Sequence, residues 1–253
     1  MIFLSLAACV STTGGERITF DVVAEPAAPI ESDGTIAYDD GDWHVVITTA
    51  KVSVGPAYFW SGKPLHTASL WDLIVPVAYA DIDHFDYGFL RGEIVTQASI
   101  DLLSDEAVVV GTGDGLSGQA QSAELWLAPT ADLDGTFVVA GTATNEDLTV
   151  AFKGALSIDD TVVDESAGQT AQEQRKVRGI PFDAEMTQGG TVRIGIDATR
   201  WLRGADFADL VDEAPDADGV YDIAHGTTVW SRWYAQVRQS GSTGPWTLAW
   251  TAE

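Results

Sequence analysis

Four residues in one short stretch carry the densest chemistry of the chain: Asp81, Asp83, His84 and Asp86. Three carboxylates and an imidazole suit zinc, manganese or calcium, whereas copper wants more nitrogen. His44 and His66 could supply that nitrogen from neighbouring loops. On a straight strand successive side chains alternate between faces, so only a loop can gather all four. The competing reading is a solvated acidic loop, which a chain of net charge −25 has to spare. A second set is aromatic. Trp60 and Trp71 lie in an irregular stretch with Tyr58, Phe59 and Tyr79. Exposed, they would form a platform for a sugar ring or a protein partner; buried, they would cap one end of the fold. Asp216–Asp222 and Asp132–Gly135 begin like calcium loops but lack the closing glutamate, and they read first as turns.

Other patterns exclude chemistry. Gly111–Gly115 lacks the Gly-Lys-Ser/Thr of a phosphate loop and reads as a connection between strands. Ser117 is not framed as a nucleophile elbow, because position 119 is Gln. Four scattered histidines form no triad pattern, so the chain reads as non-enzymatic. Lys and Arg number 13 against 38 Asp and Glu. No basic face is available to neutralise phosphates, so no nucleic-acid partner is expected. A single cysteine leaves no internal disulfide and no multi-thiolate zinc site.

That cysteine ends Leu6-Ala7-Ala8-Cys9, after an apolar run and before the polar stretch Ser11–Gly15. The pattern resembles a bacterial lipobox. The resemblance implies cleavage before Cys9, residues 1–8 as the remnant of a signal peptide, and residues 9–16 as a lipidated tether. Residues 1–8 hold no basic n-region, so the precursor is expected to start upstream. Val10, rather than Asp, implies an outer-membrane lipoprotein facing the periplasm or the cell surface.

The elements that must position these residues are mostly strands. Arg17–Val23 puts Ile18, Phe20 and Val22 on one face, and Thr191–Ala198 does so with Val192, Ile194 and Ile196. Trp43–Val54, Gly92–Leu103, Ala123–Leu127, Thr136–Ala143, Leu148–Ile158, Lys176–Phe182, Val229–Arg238 and Trp246–Trp250 read as further strands. One short helix is expected near the C-terminus at Trp201–Leu210, with a second candidate at Thr170–Val177. Trp60–Tyr87 and Asp159–Gln174 read as long loops. Many short strands with glycine-rich turns predict an all-β fold, a jelly-roll-like β-sandwich, as a single domain over 17–253.

Lys51–Phe59, Arg178-Gly179-Ile180-Pro181-Phe182 and a tail with Ile196-Asp197-Ala198, Arg200-Trp201, Asp206-Phe207 and Trp250 resemble bacterial, myxobacterial-type periplasmic lipoproteins. The tail is also similar to the copper-associated proteins related to MbnP and MopE. The resemblance implies a secreted β-sandwich and favours metal binding, although no copper ligand carries over residue by residue. The expectation is therefore a cell-envelope lipoprotein binding copper or zinc, with calcium a weaker candidate. The alternative is a surface glycan- or protein-binding module.

Overall fold

The computed structural model describes residues 14–63, 88–158 and 170–253. Strands β1 (Arg17–Pro26), β2 (Ile36–Asp40), β3 (Trp43–Val54) and β4 (Ala57–Trp60) open the chain. After residues 64–87 come β5 (Leu90–Ile94), β6 (Ala98–Asp101), β7 (Val108–Leu116), β8 (Gly118–Trp126), β9 (Phe137–Thr144) and β10 (Thr149–Leu156). The short helix α1 (Ala171–Gln174) leads into β11 (Lys176–Met186) and β12 (Thr191–Ile196). A two-residue β13 (Tyr221–Asp222), helix α2 (Thr228–Val237) and β14 (Trp246–Thr251) follow.

Two sheets result. One has eight strands in the order β11-β8-β4-β5-β7-β1-β12-β14; the other has six, β13-β10-β9-β3-β2 with β6 also on β3. The eight-stranded sheet curls until its edge strands β11 and β14 lie against each other. Its inner face is filled by Phe20, Phe59, Phe182 and Trp250, in edge or tilted contacts at 5.2–6.0 Å. Phe137 of the second sheet meets Trp201, Trp233 and Trp246 at 5.3, 6.5 and 6.2 Å, which joins the sheets into one core. The all-β sandwich is thus as expected, and Val192, Ile194 and Ile196 are fully buried.

Four local expectations fail. Gly92–Leu103 is not one strand. It bends at Val95–Gln97 and serves both sheets, as β5 in one and β6 in the other. Its partner bends with it, so Lys51–Trp60 and Leu90–Asp101 form one ribbon that crosses between sheets. Gly55 turns the corner at φ 100°, where a Cβ would lie 2.3 Å from the Thr96 carbonyl oxygen. Gly111–Gly115 is not a loop but part of β7. A Cβ on Gly113 would sit 2.6 Å from the Phe20 ring, and one on Gly92 2.8 Å from it, so these glycines clear space for the aromatic. Finally, Val229–Arg238 is helix α2, not a strand, while Trp201–Leu210 holds only turns and the start of a 3-10 segment, Phe207–Asp212. Val229, Trp230, Trp233, Gln236 and Val237 are buried at a helical period, and Thr227 caps the first turn by accepting from the Trp230 amide at 3.1 Å. Their β-branched and aromatic character mimics a strand.

Candidate ligand-binding face

Strand register fixes which outward side chains stand beside one another. Thr19 on β1 opposes Asp114 on β7, and Asp114 opposes Glu93 on β5. Glu93 opposes Tyr58 on β4, Tyr58 opposes Glu124 on β8, and Glu124 opposes Arg178 on β11. One polar row therefore crosses six adjacent strands of the large sheet, roughly 24 Å at the usual strand spacing. The inward neighbours Phe20, Ala57, Phe59, Ala123 and Leu125 are buried, so the alternation leaves this row on the outer face.

A second row runs beside it. Arg17 opposes Leu116, and Trp60 opposes Leu90 and Ser122. Trp60 is half-buried on this face, between the exposed platform and the buried cap that its sequence allowed. Ser61 and Phe89 pair at the strand ends, with Ser61 N to Phe89 O at 2.9 Å and Phe89 N to Ser61 Oγ at 2.8 Å. The described segments that end at Lys63 and resume at Gly88 thus meet next to Trp60.

At the β8–β11 end the row is tightly bonded. Trp126 Nε1 donates to Glu124 Oε1 at 2.7 Å, and Arg178 Nε donates to Glu124 Oε2 at 3.2 Å. Arg178 Nη2 and Lys176 Nζ both donate to Glu173, each at 2.5 Å, and Lys176 also lies 4.9 Å over the Trp126 ring. Those two cations, Lys176 first, hold the Glu173 carboxyl below its ordinary range. Tyr58 is pushed up, by burial first and then by Glu93 and Glu124 on either side, so it stays a neutral hydroxyl. At the β1–β7–β5 end the face opens into a groove of about 610 Å³ lined by Arg17, Thr19, Arg91, Glu93, Asp114 and Gln188, among others.

The other candidates fall elsewhere. His44 lies near the start of β3 in the six-stranded sheet, with its Nδ1 2.7 Å from Asp39 Oδ1 and both side chains exposed. It is not on the sheet that carries Trp60. Cys9, His66, Trp71, Asp81, Asp83, His84 and Asp86 lie outside the described residues. Among the described residues, no three His, Cys, Asp or Glu side chains converge as a metal set. The Asp216 loop is a turn: its Oδ1 accepts the Asp218 and Val220 amides, both at 2.9 Å, and its Oδ2 takes Lys153 Nζ at 2.5 Å. Sequence reasoning named Trp60 and Tyr58 but missed Arg17, Arg91, Glu93, Asp114 and Glu124. Alternation marks Glu93 and Glu124 as outward, each between two buried neighbours, but which of these side chains stand together is set by strand register, which the sequence does not spell locally. No protein-family model, curated protein or solved structure matches the chain.

Proposed function

We propose that the chain is a non-enzymatic cell-envelope lipoprotein, tethered through a lipidated Cys9, that holds an extended glycan across the outer face of its eight-stranded sheet. The observation that carries this reading is the in-register polar row from Thr19 to Arg178 with Trp60 beside it. A glycan presents hydroxyl edges and apolar ring faces. Glu93 and Asp114 offer acceptors, Thr19, Gln188 and Tyr58 offer both kinds of partner, and Trp60 offers a ring. A protein partner would favour a more apolar centre depleted of charge, which this face does not have.

The test is calorimetric titration of the full chain with soluble polysaccharides, neutral and charged. Trp60→Ala and Glu93→Gln should each weaken the best binder by tenfold or more. Failure of every polysaccharide to bind would overturn the reading. Anchoring is tested apart: Cys9→Ser should move the protein to the soluble fraction, and a soluble wild type with a free Cys9 thiol would remove the tether.

One observation favours a second reading, a copper or zinc site. Asp39 accepts from His44 Nδ1 and leaves Nε2 without a partner among the described residues, the way a carboxylate orients a metal-binding imidazole. His66, Asp81, Asp83, His84 and Asp86 would complete the site. They would have to reach back from the Trp60 end past β3, whose length from Val54 to His44 is about 33 Å. Copper and zinc titrations should then show His84→Ala weakening the metal more than tenfold. Equal, weak affinities in both proteins would end the metal reading.

A further inference from the structure

The groove at the β1–β7–β5 end brings together Arg17, Arg91, Glu93 and Asp114. None of the four closes an ion pair with another, or with any other charged group among the described residues. Among the described residues Lys63, Arg175, Arg203, Arg232 and Arg238 likewise close no ion pair. Lys153, Lys176, Arg178, Arg193 and Arg200 are each held against a carboxylate. With 38 acids for 13 bases, acid partners are in ample supply, and what sets Arg17 and Arg91 apart is that they share a groove with two carboxylates and close no pair there.

The backbone keeps the charges apart. Glu93 and Asp114 stand directly opposite each other on adjacent strands, a like-charge pairing that destabilises a sheet unless something answers it. Arg91 Nη1 donates to the carbonyls of Gly14 and Ser117, each at 3.2 Å, which fixes its guanidinium and leaves Nη2 without a partner among the described residues. Arg17 is exposed one row away from Asp114, roughly 7 Å along the strands.

We infer that this groove takes a zwitterionic sugar unit, one bearing a free ammonium together with a carboxylate or phosphate. The inference rests on the glycan-binding reading above and names the ligand class of that same face. A purely anionic ligand would meet Glu93 and Asp114. A purely cationic one would meet Arg17 and Arg91, and a neutral one would leave all four charges to water. Only a ligand of both signs answers all four. The charge of −25 also repels a polyanion at long range, whereas a zwitterion of zero net charge is exempt.

The probe is a disaccharide of glucosamine with a free amine and glucuronic acid. It is compared by calorimetry with its N-acetylated form, its methyl ester and the doubly blocked form; glucosamine 6-phosphate serves as the phosphate arm. Titrations use the full chain and the variants Arg17→Gln and Asp114→Asn, at exposed side chains, and Glu93→Gln, at a half-buried one. The parent disaccharide or the phosphate should bind at least tenfold tighter than any blocked form, and whichever is tighter identifies the acid. Arg17→Gln should weaken the parent and the N-acetylated form but leave the methyl ester unchanged. Glu93→Gln and Asp114→Asn should weaken the parent and the methyl ester at least tenfold more than they weaken the N-acetylated form, which keeps only the hydroxyl contacts. Equal affinity for parent and blocked forms would overturn the zwitterion inference and leave glycan binding standing. A zwitterionic dipeptide binding as tightly as the sugar would overturn the assignment to a sugar. Failure of every probe and every polysaccharide would remove the glycan reading and this inference together.

Discussion

Glu124 is the most demanding side chain on the outer face, an acid only 7% exposed. An ionised carboxylate taken out of water has to be met by donors, and Trp126 and Arg178 supply them. Arg178→Met should therefore strand a buried charge and cost about 2–3 kcal/mol, less than a fully buried pair because the guanidinium is partly solvated. A urea midpoint measures this, and Glu124→Leu combined with Arg178→Met should recover much of the loss. An unchanged midpoint in the single variant would mean that solvent already screens the pair. Sequence inspection could single out Arg178, which sits in a distinctive stretch, and Trp60, which is large and rare. It could not single out Glu93 or Glu124 among 38 acids, because what distinguishes them is their cross-strand neighbours. Those neighbours are set by register, a long-range property that no local spacing encodes.

At the scale of elements, glycines in β7 and β5 decide how closely the large sheet wraps its core. Gly113→Ala would press a methyl group into the Phe20 ring and should cost about 1–3 kcal/mol by overpacking. Adding Phe20→Leu should return part of that loss, and simple additivity of the two changes would show that they do not meet. Ile194→Ala, in the fully buried row of β12, should cost about 2–5 kcal/mol by leaving a cavity. β1 and β12 were legible because alternation with a period of two is a local signal, and β3 because its run of β-branched residues is another. β7 was not, because its inward positions are glycines that make room for an aromatic on another strand. Helix α2 was not, because Val229, Trp230, Trp233 and Val237 suit a strand by type and a helix only by spacing. The ribbon that changes sheets hid a corner inside one alternating run, since Ile94 and Ile100 are both buried, each under a different sheet.

For the whole molecule the governing quantity is a charge of −25 spread over a single core. Self-repulsion destabilises the folded state near pH 7, so protonating part of the acids first relieves strain between like charges. The opposite effect enters at lower pH through carboxylates that are bonded in the native state. Asp216 is drawn from an ordinary value of 3.8 to about 2, first by its hydrogen bond from Lys153 and then by the Val220 amide. Glu173 is lowered in the same direction by Lys176. A carboxyl whose folded value is depressed contributes stability above its unfolded value and loses it as pH falls through the folded one. The melting temperature should therefore rise from pH 8 to a maximum near pH 4–5 and fall between about pH 4 and 2. Added salt should raise it at pH 7 and do little near the maximum, because only the repulsive limb is screened at range. Asp216→Asn should lower it at neutral pH and make the acid limb shallower. A melting temperature flat from pH 8 to 5 and indifferent to salt would show that the acids are too dispersed to repel. An acid limb unchanged in Asp216→Asn would move its origin to other carboxylates.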